Sequence, residues 1–291
     1  MSYIIITDST TDLTVDLINE LDLNVMPLTF TLDKKEYLNY PDQRELTNKD
    51  FYKALRNGSM ATTSQLNMVD IVKYYEGFLQ KGLDILSVVF SSGLSGSFNA
   101  VRLAREELLE KYPERKIVII DSLCASMGEG LFAYYAGKNR LDGMSIEENE
   151  KFLLDNVYHL AHWFTVSDLE FLRRGGRLSN ASAFVAKMLK INPVLNVDNL
   201  GHLVGRIKKI GRKSAINALI EKFDKTALKD KKQIVFISHG DCYDDAVYLR
   251  DVLLEKFSDC ISEIKIGEIG PVIGAHSGPG TLALFFLATE R

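Results

Sequence analysis

The sequence predicts an α/β protein: a Rossmann-like, parallel-sheet N-terminal domain over residues 1–160 and an α+β C-terminal domain over residues 161–291. Three observations carry this. Short β-branched runs alternate with helical patterns through the first half, the order that buries a parallel sheet between helices. Beyond residue 160 the alternation gives way to a hairpin and a mixed succession of helices and strands. At 291 residues, 46% hydrophobic and 25% charged, the chain exceeds one typical domain and has ample core.

The elements follow in order. YIIIT (3–7) reads as the first strand and LTVDLINELD as the helix after it; NVMPLTFTL (24–32) reads as a single second strand. Thr47 with Asp50 has capping-box spacing at the start of NKDFYKALRN, and Gly58 suits its stop. Thr63 or Ser64 is placed to cap QLNMVDIVKYYEGFLQ, where Met68, Val72, Tyr75 and Leu79 recur at helical spacing. Strand LDILSVVF (83–90), a serine–glycine loop and helix SFNAVRLAREELLEKY come next, then strand KIVIID (116–121) and helix EGLFAYYAGKNR. Ser145 with Glu148 opens a helix to about His159. The second half reads as strand HWFTV (162–166), SDLEFLRRGG, a helix at residues 181–190, and a hairpin of PVLNVD (193–198) and HLVGRIKKI. A helix from Ser214, strand QIVFISHG, a helix at 243–257 and strands ISEIKIGEIG and TLALFFLAT complete it.

Composition excludes several classes. A net charge of −4 is no footprint for nucleic acid. Three isoleucines near the start are too few for a signal-peptide core, and TLALFFLAT has about half the length of a membrane span, so a cytoplasmic protein is expected. Cys124, Cys242 and Cys260 are odd in number and far apart, which argues for reduced thiols and against a disulfide framework or CxxC metal site. No P-loop and no HExxH is present, and neither a metal nor a cofactor is expected. Between residues 173 and 213, ten basic residues face one acidic residue, Asp198, a local +9 that leaves −13 for the remainder. Such a stretch suits docking onto phosphates, an acidic protein or an anionic bilayer surface.

The chemistry concentrates in loops at the carboxyl ends of the strands, where ligands of parallel sheets sit. SSGLSGSFNA (91–100) invites comparison with the G-x-S-x-G nucleophile elbow, but Gly93-Leu94-Ser95-Gly96 brings the second glycine one place early. A serine hydrolase or acyltransferase using Ser95 with His239 or His276 is one reading. The other is an anion seat, because the amides and dipole of a helix N-terminus attract a carboxylate or phosphate. ATTSQ (61–65), ISHGDC (237–242) and the glycine-rich loop PVIGAHSGPGT (271–281) add further hydroxyls and histidines.

Together, IITDSTTDL (5–13), TTSQ (62–65), FSSGLSGSFNA (90–100), DSLCASMGEG (121–130), LEFLRRGGRLS (169–179), ISHGD (237–241) and PVIGAHSGPGTLAL (271–284) resemble the DegV family. Its characterised members include the fatty-acid-binding subunits of bacterial fatty acid kinase. The resemblance implies one long-chain fatty acid, such as palmitate, stearate or oleate, held between the domains. By the same resemblance Thr63 and Ser95 hold the carboxylate with His276 beside it, and Ser64, Gly96 and Ser277 complete the fatty-acid-binding set. Arg177, with Arg206 and Lys209, is the docking set for a kinase subunit that brings ATP and makes an acyl phosphate; transient contact with a membrane surface is also expected. The chain itself would be non-catalytic. Two positions depart from the family pattern: Leu66 stands where proline usually follows TSQ, and Ile210 stands where a basic residue often precedes Gly211. Burial at ~0.8 kcal/mol per methylene gives a ~15-carbon chain on the order of 10 kcal/mol before ordering costs. The apolar stretches 164–171, 184–189 and 282–287 are candidate linings for it.

Overall fold

The structure, a computed structural model, describes residues 2–179 and 191–291. The helix expected at 181–190 and the lining stretch 184–189 lie outside the described residues. In chain order, β1 (Tyr3–Asp8) leads through a 3-10 turn (Ser9–Thr11) to α1 (Val15–Glu20), β2 (Leu23–Met26), β3 (Thr29–Leu32), β4 (Lys35–Leu38) and α2 (Asn48–Arg56). Next come β5 (Ala61–Thr63), α3 (Met68–Leu79), β6 (Asp84–Val89), α4 (Ser97–Lys111), β7 (Ile117–Asp121), α5 (Met127–Leu141) and α6 (Ile146–Asn156). The four parallel strands run in the order β2-β1-β6-β7, and every residue of β6 is buried, as a sheet covered on both faces requires.

The single strand expected at 24–32 is two strands. Proline supplies no amide to a ladder, and at Pro27 the chain leaves the parallel sheet; the amide of Leu28 instead donates to Ser9 Oγ at 2.9 Å. β3 then joins β4 and β5 in a three-stranded antiparallel sheet, order β4-β3-β5. Thr63 therefore pairs with Phe30 in a strand and caps no helix. Asn67 caps α3, its side chain accepting from the amide of Val69 at 2.8 Å. The caps expected at Thr47 and Ser145 are present, the latter as a full capping box with Glu148.

The second half contributes β8 (Leu160–Thr165), α7 (Glu170–Arg174), β9 (Leu178–Ser179), β10 (Ile191–Val197), β11 (Leu203–Ile210) and α8 (Arg212–Thr226). β12 (Gln233–His239), α9 (Tyr243–Phe257), β13 (Ile261–Glu268), α10 (Pro271–Ser277) and β14 (Leu282–Leu287) follow. Its seven strands form one mixed sheet, order β13-β12-β14-β8-β10-β11-β9. α8 begins at Arg212, two residues before the expected Ser214, because Gly211 at φ 84° turns the chain into it. The loop expected at 271–281 is largely the helix α10, with Pro271 in its first turn. One hydrophobic core crosses residue 160: Tyr3, Leu86 and Ile120 of the first sheet belong to the same buried cluster as Phe164, Leu195 and Phe285 of the second.

Buried carboxylates tie the β1 loop to α5. Thr10 Oγ1 donates to Glu129 Oε2 at 2.7 Å, and the Thr10 amide donates to Asp8 Oδ1 at 2.9 Å. Burial pushes both acids upward. Asp12 accepts from Ser126 Oγ at 2.6 Å and from the Gly270 amide at 2.9 Å, and burial raises it from 3.8 to about 7. A carboxyl raised on folding contributes stability that is fully present below about pH 4 and lost as pH rises through about 7. Asp12→Asn is therefore expected to lose less stability than the parent between pH 4.5 and 7.5. Urea midpoints at the two pH values check this, and equal losses would refute it.

Candidate functional site

A cavity of about 280 Å³ lies between the β6–α4 loop, β5, α10 and the face of β8 and β14. Its polar end gathers Thr63, Ser64, Gln65, Ser95, Gly96, Arg177, His276 and Ser277; its remaining walls include Phe90, Leu94, Phe164, Leu172, Val272 and Ala283. All six residues of the expected binding set line it, brought together from three separate segments. Ser64 and Gly96 are exposed, so the polar end also opens to solvent.

Two short hydrogen-bonded chains prepare the polar end. The Leu66 amide donates to Ser97 Oγ at 3.1 Å, and Ser97 Oγ lies 3.0 Å from Ser95 Oγ, which also accepts from the Ser97 amide at 3.2 Å. With the Ser97 hydroxyl donating to Ser95, the proton of Ser95 is left for a guest. On the other side Thr63 Oγ1 and His276 Nε2 are 2.7 Å apart. Burial, helped by the charge of Arg177, pushes His276 down to about 4, so the ring is neutral at physiological pH. A proton on Nε2 would serve Thr63 and free the threonine hydroxyl as a second donor. Gly175 makes room for this ring: a Cβ there would lie 2.2 Å from His276 Nδ1. Ser277 Oγ is buried with no partner among the described residues.

Among the described residues no hydrogen bond joins Ser95 to either histidine of the nucleophile reading. The Ser95 hydroxyl pairs with Ser97, His276 pairs with Thr63, and His239 lines a different, polar cleft with Asp12, Asp42 and Glu268. Among the described residues no group of three or more His, Cys, Asp or Glu side chains is placed to hold a metal. No helix among them is long and apolar enough to cross a membrane.

Arg177 is part of the cavity wall, its Nε donating to the Leu94 carbonyl at 3.1 Å and Nη1 to Gly175 O at 2.5 Å. Arg206 and Lys209 lie on β11 away from the cavity, and Arg206 donates to Asn196 Oδ1 at 2.8 Å. The basic stretch is partly neutralised, with Arg173 against Glu170 and Arg212 against Asp245; Lys187 and Lys190 lie outside the described residues. Gln65, Ser126 and His162 also line the cavity and were not singled out from the sequence as site residues. Hydroxyls and glycines advertise a ligand loop, whereas a histidine inside the strand pattern HWFTV does not.

A family model described as an uncharacterised protein of the DegV family matches residues 2–289. The chain belongs to the DegV family. A DegV domain-containing protein of Clostridium perfringens is 42% identical over 289 residues, 99% of this chain and 98% of that protein. Among solved structures, a DegV lipid binding protein from Thermotoga maritima superposes with a TM-score of 0.87 at 30% identity, covering 100% of both chains. A fatty acid binding DegV family protein from Thermus thermophilus gives a TM-score of 0.88 at 29% identity, covering 99% of this chain and 100% of that one. Within the DegV frame, Leu66 has a structural consequence: its amide makes the bond to Ser97 that a proline could not make.

Proposed function

We propose that this DegV protein binds one long-chain fatty acid, its carboxylate on the Thr63 and Ser95 hydroxyls and its acyl chain in the apolar part of the cavity. The observation that carries the reading is the presence of the Thr63 and Ser95 hydroxyls, each hydrogen-bonded to a neighbour, at one end of an otherwise mainly apolar enclosure. Hydrogen bonds to a charged acceptor offset the desolvation of a carboxylate, and apolar walls supply the driving force for the chain. The lipid and fatty acid binding named for the Thermotoga and Thermus proteins supports it.

The role is non-catalytic and cytoplasmic. Ser95 Oγ accepts from the Ser97 amide, and among the described residues no histidine is bonded to it as a base. The exposed Ser64 and Gly96 leave the carboxylate end open to a separate ATP-binding kinase, which would transfer a phosphoryl group to it and give an acyl phosphate. Arg177 of the cavity wall and, on β11, the exposed Arg206 and half-buried Lys209 are the docking residues we assign to that partner, with transient membrane-surface contact available to the same basic region.

Native mass spectrometry of the protein purified from bacterial cells is expected to show a stoichiometric fatty acid adduct. Homogeneous ligand-free protein that takes up neither palmitate nor oleate would overturn the proposal.

A further inference from the structure

His162 sits in the wall of the cavity, on β8, only 4% exposed. Its Nδ1 is fully buried and has no hydrogen-bond partner among the described residues. Strand alternation puts it on the same face as Phe164, and its ring packs against Phe285 at 4.6 Å and Phe164 at 5.6 Å between centroids. Burial, with Arg291 as a lesser cause, keeps the ring neutral by holding it well below the usual histidine range. A neutral imidazole carries one N–H donor and one bare nitrogen acceptor. Neither purely apolar packing nor a plain methylene chain satisfies them.

Register locates this polar spot. Thr281 lines the cavity next to the polar end, where its hydroxyl donates to the Ser277 carbonyl at 2.9 Å. His162 pairs across the sheet with Phe285, four residues farther along. At ~3.3 Å per residue that is about 13 Å along the strand from Thr281. The spot thus faces the middle of an acyl chain whose carboxylate lies at Thr63 and Ser95.

Resting on the fatty acid reading above, we infer that His162 forms a mid-chain polar subsite, and that the cavity accepts long-chain acids bearing a hydroxyl at that depth. A hydroxyl both donates and accepts, so it suits either ring tautomer. Against Phe164, Leu172 or Val272 the same hydroxyl would be buried without a partner and rejected.

The test measures binding of stearic acid and of its monohydroxy isomers, with the hydroxyl moved stepwise along the chain, to delipidated wild-type protein and to His162→Phe. Wild type is expected to bind one mid-chain isomer about fivefold or more tighter than isomers displaced by several carbons. His162→Phe should abolish that positional preference, read as the affinity of each isomer relative to stearic acid within the same variant. His162→Gln, which keeps a donor and an acceptor, should retain part of the preference and serves if the phenylalanine variant does not fold. Equal affinity for all isomers in wild type, as a ring satisfied by water alone would give, overturns the subsite; so does a preference that survives in His162→Phe. Failure of wild type to bind stearic acid or any isomer would instead overturn the fatty acid reading itself.

Discussion

Replacing Thr63 by valine and Ser95 by alanine together is expected to weaken palmitate binding by roughly two to four orders of magnitude. The size follows from the chemistry of the polar end. Each hydroxyl is a donor for a charged acceptor, a bond worth about 1.5–3 kcal/mol, and about 1.4 kcal/mol is a factor of ten in affinity. Valine preserves the shape of Thr63 and its strand pairing with Phe30, so the change falls on the hydroxyl and its bond to His276. Alanine at Ser95 removes the acceptor of the Ser97 amide along with the donor. Displacement of a fluorescent fatty acid measures the loss, and circular dichroism confirms the fold. A double variant that binds within tenfold of the parent would remove these hydroxyls from the head-group role.

Gly93→Ala is expected to cost about 1–3 kcal/mol of stability and to weaken binding with it. A Cβ on Gly93 would lie 2.5 Å from the Leu200 carbonyl oxygen and 2.8 Å from the Gly201 carbonyl carbon. These are backbone atoms of the hairpin turn, which cannot swing aside as a flexible side chain could. The same contact is fixed by Ser91 Oγ, which donates to the Gly201 carbonyl at 2.9 Å. Adding one methyl group must therefore push the β6–α4 loop, and Ser95 with it, away from the second half. Urea denaturation and the same displacement assay report both effects. Unchanged stability would mean that the two backbones separate freely.

Much of this was legible in the sequence, for identifiable reasons. The parallel strands stood out because burial on both faces demands continuous apolar runs such as DILSVV. The small antiparallel sheet did not: KEYL and ATT are short and largely polar, so nothing in their pattern separates them from loops. Pro27 marked the break in NVMPLTFTL, but apolar residues on both sides masked it. At the site, the loops around Ser95 and His276 stood out because hydroxyls and glycines cluster where a backbone approaches a ligand, whereas the choice of Thr63, Ser95 and His276 within them rests on the DegV resemblance. The roles of Leu66 and Gly175 were invisible, since a main-chain amide and a missing Cβ acquire meaning only beside Ser97 and the His276 ring. His162 was hidden by its own strand.

The core that runs unbroken across residue 160 bears on how a guest could come and go. Parting the two sheets would strip α5 from one of them and uncover apolar side chains now almost wholly shielded from water, such as Phe285, whose ring packs beside Gly128 of α5. Exchange by that route is steeply uphill. A guest of the cavity would then enter and leave through local opening around the polar end, where Ser64 and Gly96 are exposed, while the shared core stays closed.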